Sequence, residues 1–85
     1  MIVKMTNEQR VVDAANKADQ HMADGRCGAA ATWYGLAYSA SYDATSAADA
    51  AGDLGSAARH RAEGFRYFMK AQDARDAYGR MHMGI

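Results

Sequence analysis

The chain has 85 residues, a mass of 9.2 kDa and a formal net charge of zero, which gives one small domain, residues 1–85, and excludes a charge-driven disordered chain. Of the 49% of residues classed as hydrophobic, 20 are Ala, while Leu, Ile, Val and Phe together number nine. Bulky apolar surface therefore comes mainly from six Met, five Tyr and Trp33.

The opening stretch Met1-Ile2-Val3-Lys4-Met5 has no apolar core of the secretory kind. The uncharged run from Cys27 to Tyr42 is shorter than a membrane span and is broken by Gly, Ser and Thr. With a single cysteine there is no internal disulfide and no Cys-based zinc site. A cytoplasmic location, away from membranes, is the expectation.

Thr6-Asn7-Glu8-Gln9 has the form of a capping box. Val11, Ala15, Ala18 and Met22 follow on one helical face until Asp24-Gly25-Arg26-Cys27-Gly28 interrupts it, predicting a first helix over 7–23. Next comes a stripe stepping by three and four: Ala30, Trp33, Ala37, Ala40, Ala44, Ala47, Ala51, Leu54 and Ala58. Gly52-Asp53-Leu54-Gly55-Ser56 breaks it, so the second helix is placed at 29–51, with Ser56 capping a third at 56–80. A rival break at Ser41-Tyr42-Asp43 would end the second helix sooner. The third helix has a seam of Ala57, His60, Gly64, Tyr67, Ala71, Ala74, Tyr78 and Met81, widened by Phe65 and Phe68. Absence of proline agrees with helix throughout. The predicted fold is all-α, a three-helix antiparallel bundle.

Patterns for catalysis and cofactors are absent. His60 and Glu63 reverse the Glu-x-x-His order of di-iron bundles, and the only other glutamate is Glu8. The spacing of Asp43, Asp49 and Asp53 is not that of a calcium loop, and there is no glycine-rich phosphate cradle. Cys27 is read as a loop cysteine beside Arg26 with no histidine tied to it, and His82 as part of a frayed tail. No catalytic residue, cofactor or metal ligand is assigned. The chain is read as no enzyme.

Charge says more. Residues 1–55 carry four basic and seven acidic side chains, residues 56–85 six and three, so the halves stand at −3 and +3. No Lys or Arg lies between Arg26 and Arg59, and Tyr34, Tyr38 and Tyr42 recur there every four residues. Tyr covers much area at low entropy cost, so Tyr34, Tyr38, Tyr42, Asp43 and Asp49 form the candidate face for a protein partner with a basic surface. Packed against another helix, the same rings would simply be core. Arg59, Arg66 and Lys70 are the alternative, phosphate-contacting set, although Glu63, Asp73 and Asp76 interrupt the basic run and Arg59–Glu63 and Asp76–Arg80 have ion-pair spacing. Nucleic acid ranks third.

Two likenesses add to this. Gly52-Asp53-Leu54 through Ala57, with Trp33-Tyr34-Gly35-Leu36-Ala37, resembles fragments of a tetratricopeptide helical hairpin, which implies protein binding; the spacing is too wide for one repeat and the closing proline is missing. In size, single-domain form and Ala-Asp-Arg-rich make-up the chain looks like the small phage-encoded anti-CRISPR proteins. That likeness implies an inhibitor that binds a CRISPR effector subunit. The alternative is a self-associating homodimer, because an alanine seam buries little area.

Overall fold

Three helices follow one another in a computed structural model that describes residues 4–83: α1 (Asn7–Ala23), α2 (Cys27–Ala50) and α3 (Leu54–Met83). Thr6 Oγ1 accepts from the Gln9 amide at 3.1 Å, and the Thr6 amide donates to Gln9 Oε1 at 2.8 Å, closing the capping box. Both connections use one device. Gly25 and Gly52 take φ of 78° and 76°, the left-handed conformation that ends a helix. The following amides, Arg26 and Asp53, reach back to the carbonyls of His21 and Ala48 at 2.8 and 2.9 Å. Each turn reverses the chain within three residues.

Four boundaries differ from expectation, the end of α2 only by one residue, at Ala50 rather than Ala51. α2 begins at Cys27, so that residue is buried in a first turn, with its Sγ 3.7 Å from Met81 Sδ. α3 begins at Leu54 because the Asp53 carboxylate, not the Ser56 hydroxyl, caps it, accepting from the third free amide of the first turn, that of Ser56, at 3.1 Å. The Ser56 side chain, followed by that backbone bond, holds the Asp53 carboxyl below its usual range. α3 also continues to Met83, where His82 stacks 4.2 Å from the Tyr78 ring rather than fraying. α2 runs unbroken through Tyr42. The sequence features at Met1 to Val3 lie outside the described residues.

Partner residues rise along one helix as they fall along the next: Arg10 meets Asp43 and Asp19 meets Tyr34, while Tyr38 meets Phe68 and Cys27 meets Met81. The bundle is therefore antiparallel, up-down-up. α2 packs along both neighbours, whereas α1 and α3 barely touch. The result is a slab of 51 × 32 × 14 Å with α2 in the middle. Among the described residues no helix is long and apolar enough to cross a membrane.

The interior is alanine. Ala14, Ala15, Ala18, Ala30, Ala31, Ala37, Ala71 and Ala74 form the core clusters, with Tyr34 as their one large buried ring and Trp33 and Tyr67 half-buried against them. A buried methyl contributes about 0.8 kcal/mol, against roughly 1.5–3 for a whole Leu or Phe, so this core is thin. Ala47, Ala51, Leu54 and Ala58 of the expected stripe are exposed, and so are Phe65, Phe68, Tyr78 and Met81. α2 instead buries Ser41 and Thr45, since its middle position puts two of its flanks under cover.

Candidate functional site

The site begins where two backbones come close. A Cβ on Gly64 would stand 3.2 Å from Ser41 Cβ and 3.6 Å from Tyr38 Cδ1. Helices this near leave no space for rings between them, so Tyr38, Tyr42, Phe65 and Phe68 are pushed to the rim of the α2–α3 seam. There they line an open groove of about 510 Å³, which Asp49 and Arg61 also line. Tyr38 and Phe68 pack at 5.5 Å with a 58° tilt, within the distance range of favourable ring pairs. Tyr42 and Phe65 are 63% and 65% exposed.

Beside the rings, the Arg61 guanidinium donates to Asp49 Oδ2 at 3.4 Å, and both side chains are about half exposed or more. Thr45 and His60 also line the groove. Thr45 Oγ1 donates to the Ser41 carbonyl at 2.9 Å, while the Ser41 hydroxyl is buried without a partner. His60 is buried, with Nε2 3.4 Å from Glu8 Oε1, so it ties α3 to the start of α1. The groove offers ring faces, hydroxyls and one exposed ion pair. This is recognition chemistry.

The five residues expected on one face divide three ways. Tyr38, Tyr42 and Asp49 share the groove. Asp43 lies on the other flank of α2, where Arg10 of α1 reaches its carboxylate at 3.4 Å. Tyr34 does not belong to an exposed row: it is 5% exposed, donates its hydroxyl to Asp19, and has the Lys70 ammonium 5.6 Å from its ring. Burial, followed by that bond to a carboxylate, pushes the Tyr34 hydroxyl up to about 12. Helix geometry explains the split, because each four-residue step turns about 40° and two steps carry Tyr42 well away from the core.

The alternative cationic set is also divided. Lys70 covers Tyr34, and Arg66 lies 5.4 Å from the Tyr67 ring. Arg59 and Arg66 share a shallow depression with Glu63. Among the described residues, neither Arg59–Glu63 nor Asp76–Arg80 closes; the ion pairs that form are Lys17–Asp13, Arg26–Asp24, Arg10–Asp43, Arg61–Asp49 and His60–Glu8. No three His, Cys, Asp or Glu side chains converge among the described residues.

The sequence pattern put Phe65 and Phe68 into the seam of the third helix and left Arg61 off the partner face, whereas all three line the groove. A signal was present only for Phe65, which falls off the three-and-four stepping of Ala57, His60, Gly64, Ala71 and Ala74, whereas Arg61 and Phe68 each lie four after one of these residues and three before the next. Comparison with known protein families, curated proteins and solved structures finds no match for this chain.

Proposed function

We propose that the chain is a non-catalytic protein-interaction module whose working surface is the aromatic rim of the α2–α3 groove. The observation that supports this reading is where the bulk sits. Alanine fills the interior, while Tyr42, Phe65, Tyr38 and Phe68 share one exposed patch. Clustered exposed rings add little to a lone fold, and in the centre of an interface such rings carry much of the binding energy. Helix α2, with no Lys or Arg and with Asp43 and Asp49, suits a protein partner with a basic surface. The narrowest form of the proposal is an inhibitor of the anti-CRISPR type, working in a bacterial cytoplasm on a defence complex. Its support is the likeness in size and make-up.

Affinity capture from nuclease-treated bacterial lysate tests the reading, using the tagged protein beside its Tyr42→Ser/Phe65→Ser variant. A discrete protein held by the first and lost by the second, whether from the lysate or an untagged copy of this chain added to it, with helical circular dichroism equal in both, is the expected result. An identical set held by both contradicts the assignment of the rim.

A further inference from the structure

Resting on that reading, we infer that the partner across the groove is a second copy of this chain. Two α2–α3 hairpins close into a four-helix arrangement about a two-fold axis that runs along the groove. Such an axis lays α2 of one copy over α3 of the other and preserves height along the helices. Residues level with each other within one chain then face each other between chains.

The consequences follow from pairs already present. Tyr38 is level with Phe68, and Asp49 with Arg61. Across the two-fold, Tyr38 meets Phe68 of the second copy and Asp49 meets its Arg61, each twice. Tyr42 and Phe65, the most exposed of the rings, meet at the centre. Charge agrees with this pairing: α2 has no basic residue and brings Asp49 to the groove, whereas α3, on which Glu63, Asp73 and Asp76 are outnumbered by six basic residues, brings Arg61. Stacking α2 on α2 would oppose like charges instead. Size agrees as well. A specific interface takes about 800 Å² from each partner, and a slab of 51 × 32 Å has a face large enough to supply it. Association also gives an alanine core the aromatic burial that it lacks.

Sedimentation equilibrium from about 1 to about 300 μM tests the inference, a span that reaches binding of modest strength. The intact protein is expected to have twice its 9.2 kDa chain mass at the upper end. Phe65→Glu, which puts two charges into the shared centre, is expected to raise the dissociation constant at least about 100-fold while helicity is kept. Arg61→Glu and Asp49→Arg are each expected to weaken the dimer, and an equimolar mixture of the two to restore it, because both cross-pairs are then opposite in sign. A single-chain mass throughout overturns the inference, as does a dimer indifferent to Phe65→Glu. If the chain is monomeric yet loses a captured protein on Tyr42→Ser/Phe65→Ser substitution, the second copy is wrong and the interaction module stands. A monomer whose captured proteins ignore that substitution contradicts both.

Discussion

The two flanks of α2 meet their neighbours in different ways. Toward α1, Ala14, Ala15 and Ala37 pack with Trp33 and Tyr67 closing over them, and the margin is pinned by Lys17 4.6 Å above the Trp33 ring, Arg10–Asp43 and Tyr34–Asp19. Toward α3, Ser41 and Gly64 bring the backbones together, and four rings are left outside. The first flank uses its aromatic residues as lids on the fold. The second displays them. Small residues therefore do two jobs in this chain: they let helices pack, and they force large side chains to a rim where a partner reaches them.

The sharpest way to break that contrast is to fill the interior. Ala37 is 0% exposed in a core cluster with Ala14 and Ala15 of α1. Ala37→Leu adds three carbons to a site without space and is expected to cost about 3 kcal/mol, a fall in Tm on the order of 15 °C. Thermal unfolding measures it, and an unchanged Tm would mean that the seam is looser than its burial implies.

Tyr34 gives a smaller effect with a pH signature. Tyr34→Phe removes the hydroxyl bond to Asp19 and is expected to cost about 1 kcal/mol, since Asp19 is exposed and water replaces the donor. The Tyr34 hydroxyl titrates near 10 in an unfolded chain and at about 12 here. Raised in the fold, it contributes stability that is fully present below pH 10 and is lost as pH rises toward 12, because only the unfolded chain releases its proton in that window. Denaturant unfolding at pH 9 and pH 11 is expected to show this alkaline loss in the parent and less of it in Tyr34→Phe.

The difference between the flanks also explains what could be read from the sequence. The bounds of α1 were legible, because Thr6 and Gln9 close a capping box and Gly25 has one use, the left-handed stop, although Met22 of its expected face is exposed and Ala14 is buried instead. The third helix's seam was legible through Ala57, His60, Gly64, Ala71 and Ala74, all of which are buried. α2 was harder. A helix covered on two flanks loses the contrast between an apolar and a polar stripe, so buried Ser41 and Thr45 resemble exposed positions and exposed Ala47 resembles core. The tyrosine row misled for a related reason. Spacing by four looks constant along the chain, but each step rotates about 40°, enough to bury Tyr34 and expose Tyr42. Asp43, one residue further on, turns about 100° to the α1 side. The groove itself needed the depth of the Ser41–Gly64 approach, which no spacing encodes.

The smallest expected effect bears most directly on whether the rim serves contact rather than folding. Tyr42 and Phe65 are more than 60% exposed, as their 63% and 65% values show, so replacing both with Ser is expected to change monomer stability by about 0.5 kcal/mol or less per site. Thermal unfolding of the protein and its Tyr42→Ser/Phe65→Ser variant, followed by circular dichroism over a range of concentrations, makes the measurement. At low concentration the two melts are expected to coincide; as concentration rises, only the parent's Tm is expected to climb, because association stabilises the folded chain by mass action. A variant that melts far below the parent at every concentration would place these rings among the residues that hold the bundle together, and would contradict their assignment to the partner.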